Sequence, residues 1–336
     1  LKTSGNVKVD AENSGIIVTA AIAGAGASGK PSSTDPKDAL ESETGVKFGV
    51  GISANVAINT VNDDTLAYVH DAAVEAKNLS ITANNPTDIW ALGLAASVGF
   101  GTDVTVALSG TYGQNTLKLN TQSFADNSNI VLAGDFKQSA KNSGDLISVA
   151  IGASLAVPEG GDTTSVAVPI GISVSRNKVE NTANAYVKDS TVKNSTVGGA
   201  IQSVSFDAAD NSGIYAFSIA AALGIAKGKQ TNWSFSGGGA ASSNTVLPKT
   251  NAYADGSTIY ANSLDFKATT DSTIVSVVLG VSGSATIGGS EGTSGGLGVA
   301  ISLNKIGEQG DNKNAGGVQA YAHNSTLEIV GAGNFT

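Results

Sequence analysis

The sequence contains no cysteine and no methionine, and its single arginine is Arg176. The lack of cysteine excludes disulfides, thiolate metal sites and cysteine nucleophiles. Secreted eukaryotic modules usually carry disulfides, so a cysteine-free extracellular chain points to a bacterial protein. Because a complete bacterial reading frame begins with methionine, we expect a chain that starts at Leu1 to be a processed or internal piece of a longer protein.

Positive charge is also scarce, with 19 Lys and Arg against 28 Asp and Glu and a net charge of −9. A nucleic-acid-binding protein needs clustered basic residues to displace counterions, so that class is excluded. Anionic membrane surfaces are disfavoured for the same reason. The sequence also lacks any uninterrupted apolar run near the roughly 20 residues of a membrane helix.

Glycine, alanine, serine, threonine, asparagine and valine fill the place of the missing charged and aromatic residues. Glycine alone accounts for 42 of the 336 residues, and aromatic residues for 5%. This composition favours short strands and turns over helices. A hydrophobic content of 41% is enough for a continuous core, and we expect little helix because no stretch keeps a 3.6-residue periodicity.

The strongest signal is an internal repeat of about 60 residues. Each unit contains an asparagine followed by Thr or Lys and an aliphatic residue, and the five asparagines are Asn59, Asn115, Asn177, Asn244 and Asn304. An aromatic residue preceded by Ala or Ser comes next, at Tyr68, Phe124, Tyr186, Tyr253 and Tyr321. An Asp, Asn or Gly, then a small residue, and then an aliphatic residue complete the motif. Agreement at several positions in five copies identifies a tandem array.

Two further blocks recur in every unit. The first alternates apolar and polar residues, as in Leu79, Ile81 and Ala83, which is typical of a strand with one buried face. The second is a longer stretch in which alanine and glycine dominate one face, as at 89–99, 146–157 and 214–226. Small residues on an inner face predict the close approach of another sheet or turn.

The repeated asparagines and aromatics each allow two interpretations. The asparagines either form a hydrogen-bonded ladder between stacked turns or make local turns at strand ends. Units of this length are expected to contain more than one turn of a solenoid, in which case aligned asparagines would not touch. We interpret the aromatics as core anchors, with a ligand-binding row as the alternative. The Asp/Asn-Ser-x-aliphatic element predicts a bend that joins two strands.

Candidate chemistry is weak in this sequence. His70 and His323 occupy a repeat position that holds Asp or Lys in the other copies, which indicates a solvated strand face rather than a catalytic or metal role. Acidic clusters provide oxygen ligands suited to Ca²⁺, although calcium-binding loop motifs are absent. These clusters are Asp35, Asp38, Glu41 and Glu43; Asp63 and Asp64; and Glu159 and Asp162. The loops of variable length are the natural places for a binding surface, especially 30–44.

The pattern Asn-Thr-Val, then Ala-Tyr-Val-x-Asp, then Leu-x-Ile-x-Ala resembles the repeats of very large bacterial surface proteins. These are the filamentous-haemagglutinin-like and leukotoxin-like adhesins. The resemblance covers essentially the whole chain. It implies secretion across an outer membrane, a long β-solenoid stalk and attachment to cells, matrix or neighbouring bacteria. It implies no catalytic residues.

We therefore predict an all-β, elongated parallel β-solenoid, with an array of antiparallel β-sandwich modules as the alternative. It forms one continuous array, with approximate units 1–58, 59–114, 115–176, 177–243, 244–303 and 304–336. The predicted function is a non-catalytic extracellular stalk or adhesin segment on a bacterial cell surface. The alternatives are a self-assembling filament subunit and a β-helix polysaccharide-cleaving enzyme. Expected partners are other copies or flanking repeats and a host-cell, matrix or glycan ligand. We expect no cofactor, nucleic acid or membrane insertion, with Ca²⁺ as the one cofactor alternative.

Overall fold

A computed structural model describes residues 1–28, 47–101, 103–161, 163–195, 199–307 and 317–330. Within these ranges the regular structure consists of strands, and every pairing between them is parallel. The predicted all-β parallel β-solenoid is thereby confirmed, and the antiparallel alternative is wrong. The described residues include no helix able to cross a membrane.

The strands form three sheets, which we name I, II and III. Sheet I contains β2 (Ile16–Ser28), β6 (Asp88–Gly101), β10 (Leu146–Gly160), β15 (Gly213–Gly228) and β19 (Thr273–Ile287). Sheet II contains β3 (Phe48–His70), β7 (Val104–Asp126), β11 (Ser165–Val179), β12 (Thr182–Lys188), β16 (Thr231–Val246), β17 (Lys249–Asp255), β20 (Glu291–Ile306) and β21 (Gly317–His323). Sheet III contains β1 (Asn6–Glu12), β4 (Ala73–Ala76), β5 (Asn78–Asn85), β8 (Asn129–Leu132), β9 (Asp135–Asn142), β13 (Thr191–Lys193), β14 (Ile201–Asp210), β18 (Thr258–Thr270) and β22 (Thr326–Ile329).

One repeat unit makes one complete turn of the solenoid. Asn59 on β3 pairs with Asn115 on β7, which pairs in turn with Asn177 on β11, and the same register continues to Asn244 and Asn304. The expectation of more than one turn per unit is therefore wrong. The reason is strand length, because β3 and β7 have 23 residues each, several times the usual strand. One unit thus advances the stack by only about 4.8 Å.

The bend after the aromatic residue joins sheet II to sheet III. Asp71, Asn127, Asp189 and Asn324 all have positive φ, between 45° and 49°, and Gly256 has φ 59°. Asp, Asn and Gly tolerate this left-handed conformation better than other residues. The next residue stabilises the bend from turn to turn, since the Ser190 hydroxyl accepts a hydrogen bond from the Ser128 backbone at 3.0 Å. The predicted bend is confirmed.

The main apolar core lies inside the part of the turn formed by sheet III and the ends of the sheet II strands. The alternating block predicted from the sequence supplies its rows. One row of register partners is Val7, Leu79, Phe136, Val204 and Leu264. Equivalent residues stack directly on one another, so each turn buries the apolar face of the next, as in other solenoids.

A second region, the arm, extends from this core. In the arm, sheet I packs against the first part of the sheet II strands, up to the asparagine row. The inward residues are mostly Gly, Ala, Ser and Thr, and hydroxyls bridge the two sheets. Ser97 donates to the Gly51 carbonyl at 2.7 Å, and Ser173 donates to the Ala150 carbonyl at 2.8 Å. A Cβ on Gly171 would lie only 2.5 Å from the Ala221 carbonyl oxygen, so the backbones approach closely. The predicted close approach of a second sheet is confirmed.

Candidate interaction surfaces

The five repeated asparagines form a continuous hydrogen-bonded ladder at the base of the arm. Each Nδ2 donates to the Oδ1 of the asparagine in the next turn, at 2.7 Å from Asn59 and 2.8 Å from Asn115, Asn177 and Asn244. Thr19 closes the first end by donating to Asn59 Oδ1 at 2.6 Å. The ladder satisfies amides that would be costly to bury alone. Of the two interpretations left open by the sequence, the structure has the ladder.

The five aromatic residues form a second ladder, but it lies on the outer face of sheet II. Neighbouring ring centroids are 4.8–5.1 Å apart, with interplanar angles of 1–8°. Ala67 and Val69 on either side of Tyr68 point inward and are buried, whereas Tyr68 is 52% exposed. Strand alternation therefore places the rings outside. The interpretation of these residues as core anchors is wrong.

The stacking also limits what the aromatic ladder can bind. The flat faces of Phe124, Tyr186 and Tyr253 are covered by the rings above and below them. Within the described residues, the interior rings present only their edges to solvent, and the end rings Tyr68 and Tyr321 each stack on one face. A flat ligand thus has no open platform along the row, and the ladder's contribution is stacking between turns.

The two histidines lie beside this ladder and contact carboxylates. His323 Nδ1 is 2.8 Å from Asp255 Oδ1, and His70 Nδ1 is 3.2 Å from Asp126 Oδ2. His70 also has its Nε2 3.0 Å from Asp71 Oδ2. Both rings are exposed and belong to the same outward row as Asp126 and Asp255. The contacts with Asp126 and Asp255 join neighbouring turns, whereas Asp71 directly follows His70 in the same turn.

The acidic clusters do not converge within the described ranges. Asp63 and Asp64 are consecutive on β3 and so point to opposite faces. Asp63 accepts a 2.9 Å hydrogen bond from Asn85, and Asp64 accepts a 2.8 Å bond from Asn120. In the part of the chain that the structure describes, no group of three or more His, Asp or Glu is placed to hold a metal ion. The cluster at Asp35, Asp38, Glu41 and Glu43, and Asp162 of the third cluster, lie outside the described residues.

Among the described residues, the most deeply buried carboxylate is that of Asp210, at the end of β14. Burial raises its pKa, although the Ser212 backbone N–H donates to Oδ1 at 3.0 Å. Its register partner in the previous turn is Asn142, whose partner is Asn85. Asp210 therefore belongs to an inward row of register partners that includes two asparagine amides and is closed to solvent. We assign it a role in the packing of successive turns.

The junctions of variable length that connect sheet I strands to sheet II strands lie at the tip of the arm, whereas the second variable connection, at 193–200, lies between two strands of sheet III. A concavity between successive turns is lined at the tip by Glu159, Gly160, Gly161, Lys227, Gly228, Lys229, Ile287, Gly288 and Gly289. Loop 30–44 joins two strands that end at this same tip, but it lies outside the described residues. The lining of this concavity contains one carboxylate and two lysines, and its backbone is rich in glycine.

A broad exposed apolar surface is the outer face of sheet I, which we call the apolar plate. Its outward positions carry aliphatic or aromatic side chains, alanine or glycine, with Ser28 as the one exception. They are Val18, Ala20, Ile22, Gly24, Gly26 and Ser28 on β2; Trp90, Leu92, Leu94, Ala96, Val98 and Phe100 on β6; Ile147, Val149, Ile151, Ala153, Leu155 and Val157 on β10; Tyr215, Phe217, Ile219, Ala221, Leu223 and Ile225 on β15; and Val275, Val277, Leu279, Val281, Gly283 and Ala285 on β19.

Polarity in the arm is thus the reverse of that in an ordinary globular protein. Ser148, Ser218 and Ser97 point inward and are buried, whereas Trp90 and Leu279 point outward and are each 47% exposed. The outer face of sheet III has the usual pattern, with rows such as Lys8, Ser80, Lys137, Ser205 and Asp265. Sequence reasoning identified the small inner face of the arm but not the plate. The signal was present in stretches such as 146–157, where the residues alternating with Ser, Ala and Gly are all apolar.

Comparisons with family models, with curated proteins and with solved structures find no match for this chain.

Proposed function

We propose that this chain is a non-catalytic structural segment of a bacterial surface adhesin, in which its turns form part of a longer β-solenoid stalk. The observation that carries the proposal is the continuity of the ladders to both end turns. Asn304 accepts from Asn244 but donates to no asparagine beyond it in the described residues, and Tyr68 and Tyr321 each keep one uncovered ring face. Each end is ready to accept another turn with the same register.

The strand edges support the same proposal. Among the described residues, β3 pairs only with β7, and β20 pairs only with β16. Unpaired edges of this length are a strong template for adding strands, and proteins that must stay separate usually blunt or cover them. Further turns of the same chain would satisfy these backbone groups. In a repeat protein each added turn also contributes its own interface energy.

The experiment is the insertion of one additional turn. A second copy of 177–243 is placed after residue 243. In the resulting protein, Asn177, Val179 and Tyr186 each stack on their own copy in the next turn. We expect a folded protein whose urea m-value rises by roughly one fifth and whose unfolding free energy increases, because m scales with the surface that is exposed on unfolding. Circular dichroism and urea titration measure both quantities.

The control is the same insertion with Ser243 deleted immediately before the inserted copy, which shifts the register at the junction by one residue. A one-residue slip turns every inward side chain outward, so this variant is expected to lose stability. If the in-register insertion unfolded the protein or left m unchanged, the stalk proposal would be wrong. Attachment itself is tested by adhesion of cells to surfaces coated with the segment, and polysaccharide turnover by the same preparation would favour the enzyme alternative.

A filament subunit is the second candidate, and the same open edges favour it. In that case β20 of one copy pairs with β3 of another, and the isolated segment forms regular fibres visible by electron microscopy. Ala300→Lys places a charge on the inner face of the edge strand β20, a common means of blocking edge pairing. Fibres that disappear in this variant support the filament, whereas a monodisperse wild-type segment supports the stalk.

A further inference from the structure

We propose that the apolar plate on sheet I docks against the same plate of a second copy of this chain, so that solenoids associate side by side. This docking goes beyond the stacking of turns proposed above. It uses the outer face of the arm rather than the strand edges. The plate lies between a row that contains Asp88 and Asp145 and a row that contains Glu159 and Lys227, with no charged residue in between.

The size of the plate requires a partner. Five strands about 4.8 Å apart and a stretch of about ten residues at about 3.3 Å each give roughly 24 by 33 Å, or about 800 Å². The largest apolar patch on an ordinary monomer covers about 300–600 Å². Two such plates placed together bury about 1,600 Å², which is the area of a standard stable interface.

The shape of the plate and its lack of charged side chains are compatible with a second, identical plate as the partner. A row of small residues, which includes Ala96, Ala153 and Ala221, runs beside a row of larger ones that includes Leu94, Ile151 and Ile219. A dyad that lies in the interface plane, between these two rows and parallel to them, places the ridge of one copy over the trough of the other. The outward positions that make up the plate carry no charged side chain, so the contact does not bring like charges of the described strands together. Sheets that pack face to face lie about 10 Å apart, which leaves room for these side chains.

A lipid bilayer fits the plate less well, although the apolar width of about 33 Å is close to the thickness of its hydrocarbon core. The edge strands β2 and β19 each pair on one side only within the described residues. In the isolated segment, which has no further turns, the free N–H and C=O groups of these edges run across the whole apolar width. Hydrocarbon cannot satisfy such groups, whereas face-to-face docking of a second copy leaves both edges open to water or to further turns.

The test is self-association measured by sedimentation velocity from about 0.1 to 100 μM, a range chosen to bracket the affinities of standard interfaces. Ile151 lies on β10, the central strand of the plate. Ile151→Lys buries two lysines in each symmetric contact, so we expect its dissociation constant to rise at least about 100-fold. Ser139→Lys on the outer face of sheet III is the matched control and should leave association unchanged. Circular dichroism verifies that both variants remain folded.

Chemical cross-linking tests the same contact without a substitution that weakens it. Because the chain lacks cysteine, Ala153→Cys and Ser139→Cys each carry a single thiol. A bis-maleimide with a spacer of about 10 Å, matched to the spacing of facing sheets, is expected to link copies of Ala153→Cys and not copies of Ser139→Cys. Cross-linking confined to position 153, together with weakened association of Ile151→Lys, supports the proposal.

Three outcomes overturn it. If the protein is monomeric over the whole concentration range, the plate does not dock against a second copy of this chain. Association that is unchanged in Ile151→Lys but lost in Ala300→Lys arises from strand edges, which leaves the filament proposal intact and removes this one. Binding to neutral phosphatidylcholine vesicles by a protein that stays monomeric without them, and loss of that binding in Ile151→Lys, assigns the plate to lipid.

Discussion

The side-chain amide of Asn115 donates a hydrogen bond to Asn177 Oδ1 at 2.8 Å, across two successive turns of the solenoid. Asn115 Oδ1 meanwhile accepts a bond from Asn59 at 2.7 Å, so one side chain serves the turn on each side. All three asparagines are buried. The ladder is thus a chain in which each interior member satisfies two partners.

Replacement of Asn115 by alanine is expected to lower the unfolding free energy by about 2–4 kcal/mol, because a buried donor on Asn59 and a buried acceptor on Asn177 both lose their partner. Urea titration followed by circular dichroism measures the change. Asn120→Ala on the outer face of the same strand is the control, since Asn120 binds the exposed Asp64. Its expected cost is below about 1 kcal/mol. Equal losses in the two variants would show that the ladder contributes no more than a surface contact.

Glycine substitutions test the close approach of the two arm sheets. A Cβ on Gly152 would collide with the backbone carbonyl of Ile172 in the facing sheet, whereas a Cβ on Gly110 meets nothing within 4 Å. Gly152→Ala is therefore expected to destabilise by about 1–3 kcal/mol, the usual cost of overpacking. Gly110→Ala should be neutral or stabilising by about 0.5 kcal/mol, because glycine is costly within a strand. Thermal unfolding of the pair measures the contrast, and a similar loss at both positions contradicts it.

Gln138 is a polar residue in an apolar row. It is 1% exposed, and neither its Oε1 nor its Nε2 has a hydrogen-bond partner among the described residues. Its register partners in adjacent turns are Ile81 and Phe206. Gln138→Leu is expected to raise the unfolding free energy by about 1–3 kcal/mol, since it removes an unsatisfied buried amide. Gln122→Leu, on the outer face beside Leu66, is the control and should change stability little. A destabilised Gln138→Leu protein would mean that the amide has a stabilising role.

The sequence predicts much of this fold because a solenoid repeats one set of contacts. Positions that align in the sequence, such as Asn59 and Asn115, become register partners in space. The number of turns per unit was predicted wrongly because strand length is not encoded by the repeat period. A unit of this size can coil once with long strands or several times with short ones.

The direction of the aromatic row and the apolar plate were missed for a different reason. Alternation separates two faces of a strand, but it does not say which face is inside. Tyr68 lies between Ala67 and Val69, and the usual preference for burying large residues favours the wrong face. In the arm, the glycines require the small face to be inside, since only glycine permits the backbone of one sheet to approach that of the other.

The aromatic ladder gives a prediction about alkaline pH. Burial, and next the neighbouring Tyr186 and Tyr321, raise the pKa of Tyr253 well above its usual value. In the unfolded chain a tyrosine ionises near pH 10, so above that pH the unfolded state loses a proton that the folded state keeps. The stability that Tyr253 contributes is therefore fully present below about pH 10 and is lost as the pH rises toward the folded pKa.

Tyr253→Phe removes this proton and should match the wild-type protein at pH 7, because Phe124 shows that the row accepts phenylalanine. Between about pH 10 and 11.5 the variant should lose less stability than the wild type, as the unfolded state no longer gains from ionisation at this position. Urea titrations at a series of pH values measure the difference in unfolding free energy. A difference that stays constant from pH 7 to 11.5 would mean that Tyr253 ionises equally in both states, and that the stacked row does not shield it.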